Sequence, residues 1–598
     1  MKHKINEIKV NKFSFLQNNY YLLPLIFCIS VLVRLIYYYE VKEDIFLKYL
    51  IIDADFYNQW AVSIVNGGIL GESGVYYQDP LYAYFLAVIY KIFGLNNYFV
   101  VRIIQIFMDS TTCIMMFLIS ERLFNNKNLS IIASLLYCFS PVLIFYTVLL
   151  DKTTLSLFLI AWSLLYLIKA IQEQNIKNYF YAGLLLGACT LIRGNIMIFV
   201  IFSLIGIFVK IHKNYLLKTV LIYIVLFLIG VLIPITTVTL RNVIIGKDFV
   251  VISANSGLNL FIGNNKNASG SYYEPYDIQG VPDEELETSW RAAERLSNKR
   301  YTKASEVSNY WFNEALEYIV LNPQKHMVLL LKKFYLIFSS FEIAETYSFY
   351  YFKNISTVLK IPISFGLFIA AGILGIYMNS KKSNNSLIIK IFIFSYIISM
   401  LIFFVTGRYR IPLLIGLIPF SSLFIVELYK LIRNKKGYLI FVLSFIIIFL
   451  LTNYQNVYLK TILKPASLSI SYSQKGYLYS MENNLLEAIK NYKIAISYNQ
   501  NSFKDYYDLG NLYMQLGEYI KAKECFYSTI EIKNDYAEAY NNLGVLAILE
   551  NHKKEANEYL SKAYKYCAYE ELQDIILDNI KKTNLMSNQK PVLNIIKQ

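Results

Sequence analysis

The sequence predicts an all-α protein, a polytopic bundle of about eleven transmembrane helices followed by an all-helical repeat solenoid. Three observations predict this fold class. Of the 598 residues, 56% are hydrophobic and 17% are charged, whereas about a quarter of the residues of a soluble domain are charged. Apolar runs close to the roughly 20 residues that a bilayer core requires recur between residues 20 and 453. A repeat of 34 residues fills much of the remaining chain.

The apolar runs are the candidate transmembrane helices, and most are separated by polar or charged residues. They are 20–39, 98–119, 129–147, 153–170, 179–193, 196–209, 219–240, 359–378, 387–406, 411–431 and 438–453. The first run lacks a clear small-residue cleavage site, so we interpret it as a retained signal anchor. The transmembrane domain is therefore expected over residues 20–453.

Lysine and arginine residues fall in alternate loops between these runs. The clusters are Lys2, Lys4, Lys9 and Lys12; Arg122 and Lys127; Lys169 and Lys177; Lys210, Lys213 and Lys218; Lys381 and Lys382; and Arg433, Lys435 and Lys436. Cytoplasmic loops of membrane proteins carry such an excess. We therefore expect a cytoplasmic segment 1–19 in a plasma (inner) membrane protein. Loops 40–97 and 241–358 and the C-terminal region would then lie on the extracytoplasmic side.

One short apolar segment, 326–340, tests this topology. Lys332 and Lys333 stand at its centre, and burying two ammonium groups in lipid is costly. An interfacial helix on the outer surface, with both lysines snorkelling, is the favoured interpretation.

The C-terminal repeat matches the tetratricopeptide pattern. Equivalent positions 34 residues apart hold tyrosine (472, 506, 540), glycine (476, 510, 544) and alanine (488, 522, 556). Small residues let paired helices approach while aromatic residues fill the gaps between them, and three copies are about the minimum for a stable solenoid. We expect a repeat domain over 466–580, with repeats at about 472–505, 506–539 and 540–573, and a tail at 581–598.

Charge and cysteine usage exclude other classes. The net charge of +15 is dispersed among the apolar runs, as topology requires, so no nucleic-acid partner is expected. The six cysteines, at 28, 113, 138, 189, 525 and 567, form no CxxC pair and have no histidine at metal-ligand spacing. They are interpreted as packing residues, and no cofactor is expected.

Two acids follow the first apolar run, in the stretch IIDADFYNQWA. Asp53 and Asp55 could be solvated, or Asp55 could cap a helix that begins near Phe56. A DxD triplet could also hold a divalent metal on a nucleotide sugar. No nucleotide-binding glycine loop accompanies it, so no metal site is predicted.

Four stretches carry a resemblance: DADFYNQWAVSIVNGG, YYQDPLYAYFLAVIYKIFG, ANSGLNLFIGNNKNASGSYYEP and TGRYRIP. They resemble the polyprenyl-phosphate-sugar glycosyltransferases of the C-type fold, and more narrowly the bacterial relatives of protein O-mannosyltransferases and aminoarabinose transferases. The likeness extends over roughly residues 15–453 as architecture. The layout with a C-terminal repeat domain is similar to that of the animal transmembrane O-mannosyltransferases.

The resemblance implies roles for two acids and one arginine. The pattern of Asp53, Ala54 and Tyr57 matches the first outer loop of the family, which implies that Asp53 is the general base. Asp151, at the outer end of the fourth run, matches a second acid, although it could instead pair with Lys152 at the interface. Arg193 resembles the arginine of an Arg-Pro-Asn element in which glycine replaces the proline here.

The GRYR stretch at 407–410 places Arg408 and Arg410 at an outer membrane edge, against the positive-inside trend. Guanidinium forks suit phosphate oxygens, so both arginines, with Arg193, are predicted to bind the donor phosphate. Contact with lipid headgroups is the alternative. Arg34, inside the first run, is either a snorkelling residue or part of the carrier site.

Further residues are possible contacts for the substrate. Asp79 and Tyr82 lie where Pro80 starts a predicted helix along the membrane, and the resemblance places such a helix beside the active site. Asn259 and Asn264, in a loop at 255–265, could hydrogen-bond to sugar hydroxyls, although turn chemistry also explains this composition. Asp55 and Tyr57 complete this set of possible substrate-binding residues.

These features favour an inverting glycosyltransferase that uses a polyprenyl-phosphate sugar. The leaving phosphate monoester has a second pKa of about 6, so the reaction needs one base and cations but no general acid. The acceptor would be a hydroxyl of a protein or glycan. The repeats would hold the acceptor protein or bind a partner of the enzyme. The alternatives are a lipid-linked oligosaccharide ligase or polymerase, a transporter with a docking tail, and a membrane-anchored scaffold.

Overall fold

A computed structural model describes residues 21–71, 73–212, 215–273, 275, 278, 280–379, 386–435, 437–454, 459, 463–567 and 570–584. The predicted segment 1–19, most of the tail 581–598 and the lysines Lys213, Lys381, Lys382 and Lys436 lie outside the described residues. The described chain is helical and contains no β-strand, which confirms the all-α class. It divides into two compact units, Met1–Gln455 and Asn456–Gln598.

The first unit contains helices at all the predicted apolar runs and in both of the loops that are predicted to lie outside. They are α1 (Leu22–Val41), α2 (Ile45–Lys48), α3 (Asp53–Gly67), α4 (Leu81–Phe93), α5 (Tyr98–Phe124), α6 (Lys127–Cys138), α7 (Pro141–Tyr146), α8 (Thr153–Glu173), α9 (Ile176–Thr190), α10 (Met197–Ile211), α11 (Leu217–Ile244), α12 (Ser256–Gly263), α13 (Pro282–Ser297), α14 (Ala304–Leu321), α15 (Pro323–Phe338), α16 (Phe349–Ile355), α17 (Phe365–Asn379), α18 (Leu387–Ile402), α19 (Gly407–Arg410), α20 (Leu413–Arg433) and α21 (Tyr438–Asn453).

Six helices in the described residues are long and apolar enough to cross a membrane: α1, α5, α8, α11, α20 and α10 with the 3-10 turn before it. Shorter apolar helices, among them α6, α17, α18 and α21, occupy other predicted runs. The protein is therefore an integral membrane protein, while eleven crossings stay a prediction. One run, 129–147, is broken into α6 and α7, because Ser140 precedes Pro141 and adopts an extended conformation that the proline ring imposes.

Close backbone contact joins α9 to α11. A Cβ added at Gly183 would lie 2.1 Å from the carbonyl oxygen of Phe227, and one at Gly187 would lie 2.4 Å from that of Val231. The GLLLG spacing places both glycines on one helix face, where small residues let membrane helices approach closely. This contact positions the turn after α9, which carries Arg193.

Arg34 does not snorkel. Its Nε donates to Asp109 on α5 at 2.5 Å, and both side chains are buried. The hydroxyl of Tyr137 donates to the other oxygen of Asp109 at 2.5 Å. Ionisable residues are thus present among the apolar helices as well as in the loops between them. Arg34 and Asp109 occur as an ion pair, because an unpaired charge in a medium of low dielectric constant is costly.

Two predictions about the segment 241–358 need correction. Most of the predicted loop 255–265 forms helix α12, Ser256–Gly263. Its glycines allow close packing: Gly257 lies against the carbonyl oxygen of Ser308 and Gly263 against that of Phe403. Lys333 on α15 does not snorkel. It is fully buried, and its Nζ donates to Asn264 Oδ1 at 3.0 Å and to the carbonyl of Leu401 at 2.9 Å.

The second unit is formed by helices α22 (Lys464–Met481), α23 (Leu485–Tyr498), α24 (Phe503–Gln515), α25 (Tyr519–Ile532), α26 (Ala537–Leu549), α27 (Lys553–Tyr566) and α28 (Glu570–Asn584). The repeated glycines make equivalent contacts. Gly476 lies against the ring of Tyr492, Gly510 against the ring of Phe526, and Gly544 against Leu560. Packing therefore follows the 34-residue period, and the tetratricopeptide assignment stays a prediction.

Candidate active site

The candidate site is centred on Arg408 in the four-residue helix α19. Its Nη1 donates to the carboxylate of Asp53 and, at 3.3 Å, to Oδ2 of Asp151. Its Nε donates to Glu345 Oε2 at 2.8 Å, and its Nη2 contacts the same carboxylate. The Arg408 side chain is 11% exposed, so the interactions are only partly screened by water. The structure thus brings together Asp53, Asp151 and Arg408, three predicted site residues.

Asp53 is the first residue of α3. Ile52, immediately before it, has φ 51° and ψ −121°, a conformation that β-branched residues rarely adopt. Asp55 was predicted as a possible helix cap, and this is wrong because the helix begins two residues earlier. The carboxylate of Asp55 instead accepts a hydrogen bond from Gln59 Nε2 at 2.9 Å. Both acids lie in the first turn, where the helix dipole favours negative charge.

Asp151 lies in the turn before α8. One carboxylate oxygen accepts a hydrogen bond from the backbone N–H of Thr153 at 2.6 Å. Burial raises the pKa of Asp151, but Arg408, Arg193 and the hydrogen bonds from Thr153 outweigh it, so its pKa lies below the usual value. The acid pairs with Arg408 rather than with the adjacent Lys152, the alternative that the sequence left open.

Lys152 is buried beside these acids. Its Nζ donates to the hydroxyl of Tyr57 at 3.2 Å and lies 5.6 Å from the centre of the same ring. Burial lowers the pKa of Lys152, and the nearby positive charges of Arg408 and Arg193 act in the same direction, whereas Asp79 and Asp53 oppose them. The one feature of the sequence that draws attention to Lys152 is its position next to Asp151.

Arg193 follows α9 and is 2% exposed. Its Nε donates to Ser156 Oγ at 3.1 Å and its Nη2 to Thr153 Oγ1 at 2.9 Å. The guanidinium lies 5.3 Å from the ring centre of Tyr409, the residue after Arg408. Its Nη1 is buried and has no hydrogen-bond partner among the described residues.

Arg410 is separated from this group of charges. It is fully buried, and its guanidinium donates to the carbonyl oxygens of Leu336, Ser339 and Phe341 and to Glu342 Oε2. Its predicted role as a phosphate ligand does not fit these contacts, because most of its N–H groups are already used. Arg410 instead holds the start of the loop 339–348 that presents Glu345.

The other predicted residues have mainly structural contacts. Asp79 accepts hydrogen bonds from Ser253 Oγ at 2.8 Å and from the N–H of Gly194 at 3.2 Å. Tyr82 is fully buried and donates to Gln105 Oε1 at 2.8 Å. Asn264 binds Lys333, and Asn259 lies on α12 and is partly buried. Of this set Tyr57, through its contact with Lys152, reaches the centre of the site.

Sequence reasoning missed Glu345 and Lys152. The one available signal for Glu345 was the spacing in FEIAE, where Glu342 and Glu345 lie three residues apart. In the structure Glu342 pairs with Arg410, and Glu345 pairs with Arg408. Among the described residues, no group of three or more His, Cys, Asp or Glu side chains is arranged to hold a metal ion.

A segment of the chain matches a known protein family. Residues 78–239 match the family model described as dolichyl-phosphate-mannose-protein mannosyltransferase. The match includes Asp151, Lys152 and Arg193, and it confirms over this segment the resemblance to polyprenyl-phosphate-sugar glycosyltransferases. Asp53 and Arg408 lie outside it. No curated protein sequence matches the chain.

Solved structures give more distant similarities. The chain is similar to the Archaeoglobus fulgidus oligosaccharyltransferase in the apo form, with 15% identity over 73% of this chain and 57% of that one and a TM-score of 0.40. It is similar as well to the oligosaccharyltransferase AglB of that organism in complex with an inhibitory peptide and a dolichol-phosphate. The identity there is 13% over 77% of this chain and 58% of that one, and the TM-score is 0.39. The chain thus spans just over half the length of these proteins. The chain is also similar to MamA, with 24% identity over 24% of this chain and 76% of that one and a TM-score of 0.17.

Proposed function

We propose that the protein is a membrane glycosyltransferase that transfers a sugar from a polyprenyl-phosphate carrier to a hydroxyl group of a protein or glycan at the outer face of the plasma (inner) membrane. One observation carries this proposal: the contact of Arg408 with Asp53 and Asp151. It joins three distant segments of the chain into one site with the charges that the reaction needs. The family match at residues 78–239 supports the donor class.

In the proposed reaction Asp53 is the general base. Its carboxylate takes the proton of the acceptor hydroxyl as the acceptor oxygen attacks the anomeric carbon. The bond from that carbon to the phosphate oxygen breaks, and polyprenyl phosphate leaves with the electron pair. Because the phosphate leaves as a stable anion, one base suffices, and attack from the opposite side inverts the anomeric configuration.

Arg408 has two effects in this site. Its guanidinium holds the carboxylate of Asp53 in position, and its positive charge, with that of Arg193, stabilises the charge that develops on the leaving phosphate. Asp151 orients Arg408 from the side of α8. No cofactor takes part, and the second unit would bind the acceptor or a protein partner, as helical repeats commonly do.

The test compares the purified parent with Asp53→Asn in a transfer assay. The donors are labelled polyprenyl-phosphate sugars, and the acceptors are a secreted or envelope protein fraction. We expect transfer to fall by about 10²–10⁴-fold in the variant, the usual contribution of a general base. Glu317→Gln, at an exposed carboxylate of α14, is the matched control and should retain the parent's rate.

Three outcomes would contradict the proposal. Transfer that persists in Asp53→Asn would remove this residue from the chemistry. Transfer from diphosphate-linked donors alone would favour an oligosaccharide ligase or polymerase. Loss of transfer in the presence of a chelator, restored by a divalent cation, would indicate a metal-dependent reaction.

A further inference from the structure

Arg408 has little capacity left for a phosphate group. A guanidinium offers five N–H donors, and the contacts with Asp53, Asp151 and Glu345 use four of them. A bidentate phosphate contact takes two parallel N–H groups. Arg408 would therefore have to release a carboxylate before it could bind the donor in this way, and Arg410 is held by carbonyl oxygens.

Lys152 has the opposite property. Its ammonium group carries three N–H donors, is 95% buried, and makes one hydrogen bond, to the neutral hydroxyl of Tyr57. A buried charge is costly unless it is paired. Within the described residues no carboxylate forms an ion pair with Lys152, so the ammonium group retains two donors for an anion.

Arg193 lies next to Lys152 and has a donor to spare. It binds the hydroxyl of Thr153, the residue after Lys152, and its buried Nη1 has no partner among the described residues. Arg193 is close enough for its positive charge to lower the pKa of Lys152. Tyr57 in turn lies one helical turn after Asp53, so an anion held by Lys152 would be adjacent to the proposed base.

We propose that Lys152, with Arg193 beside it, makes the direct contact to the phosphate of the lipid carrier, and that Arg408 acts on the carboxylates. This inference rests on the proposed function, because it concerns the same donor. It assigns a role to Lys152 and removes the GRYR arginines from direct contact with the ligand.

The test measures binding without any sugar transfer. Full-length protein in lipid nanodiscs is titrated with a long-chain polyprenyl phosphate and with the corresponding polyprenol. We expect the parent to prefer the phosphate, and we expect Lys152→Met to reduce this preference at least tenfold while its affinity for polyprenol is unchanged. Lys152→Arg, which keeps the charge, should restore most of it. Arg193→Gln should reduce the preference as well.

Controls keep the outcomes distinct. Lys360→Met, at an exposed lysine, should bind like the parent, and unchanged polyprenol affinity shows that each variant is folded. The inference is wrong if Lys152→Met keeps the full preference for the phosphate while Arg408→Gln loses it. If the parent itself does not distinguish the phosphate from the polyprenol, the proposed function fails as well.

Discussion

Arg408 and Asp53 are 355 residues apart in the chain, and the guanidinium of one donates a hydrogen bond to the carboxylate of the other. The same guanidinium contacts Asp151 and Glu345. Three carboxylates that share a small volume repel one another unless a cation lies between them. The start of α3, the turn before α8 and the loop 339–348 are therefore joined to α19 through one side chain.

Removal of Arg408 should destabilise the protein. In Arg408→Gln the three acids lose their shared cation, and we expect the free energy of unfolding to fall by about 3 kcal/mol, as for other buried ion pairs that lose one partner. Glu345→Gln in the same chain should recover part of this loss, because it removes one repelling charge. Denaturant unfolding in detergent measures both effects. Independent, additive losses would show that these side chains do not interact.

Glu345→Gln alone should tighten the binding of polyprenyl phosphate. The substitution removes one of the negative charges paired with Arg408, so less of the positive charge of the guanidinium is neutralised in the site. We expect the dissociation constant to fall roughly threefold to tenfold, equivalent to about 0.7–1.4 kcal/mol. Glu317→Gln is the matched control. Weaker binding would mean that Glu345 holds Arg408 in the geometry that the ligand needs.

Donor binding should weaken at alkaline pH. Burial lowers the pKa of Lys152, and Arg408 and Arg193 add to this effect while Asp79 and Asp53 oppose it. The net shift is downward, so the ammonium group loses its proton at a lower pH than an exposed lysine does. The protonated form binds phosphate, and affinity should therefore fall as the pH rises through this lowered pKa. Binding of polyprenyl phosphate to the parent and to Lys152→Arg, measured across the alkaline range, tests this. The affinity of Lys152→Arg for polyprenyl phosphate should not change over this pH range.

Gly183→Ala should destabilise the membrane unit. A Cβ at this position would lie 2.1 Å from the carbonyl oxygen of Phe227, so α9 and α11 would have to separate, at a cost of about 1–3 kcal/mol. Gly67→Ala is the control, since no atom lies within 4 Å of a Cβ there. The midpoint of thermal unfolding in detergent should fall in the first variant only. Equal midpoints would indicate that the helices do not pack this closely.

The proposed topology can be tested by cysteine labelling. In a chain with Cys28, Cys525 and Cys567 replaced by serine, which leaves only buried native cysteines, added cysteines at the exposed positions Gln59 and Lys360 should react with a membrane-impermeant reagent from the outer side. Cysteines at Lys177 and Lys218 should react only after the membrane is opened, because basic loops stay in the cytoplasm. Labelling of positions 59 and 360 from opposite sides would contradict the proposed site.

The helices could largely be predicted from the sequence, and the site only in part. Apolar length and the 34-residue period are local properties, so the helices occur where the runs predict them. Asp53, Asp151 and Arg408 were identified through motifs. Arg410 could not be separated from Arg408 in this way, because both belong to the same GRYR stretch and differ only in the direction of their side chains.

The sequence by itself determined that this is a membrane protein made of helices, with a repeat after residue 453 and acids and arginines in the segments between its apolar runs. Only the tertiary structure decided which charges meet. It paired Arg408 with Asp53, directed Arg410 to backbone carbonyls, brought Glu345 into the site, and left Lys152 with donors to spare. The physical reason is that an ion pair depends on distance and burial, and residues far apart in a chain acquire both only when the helices that carry them have packed.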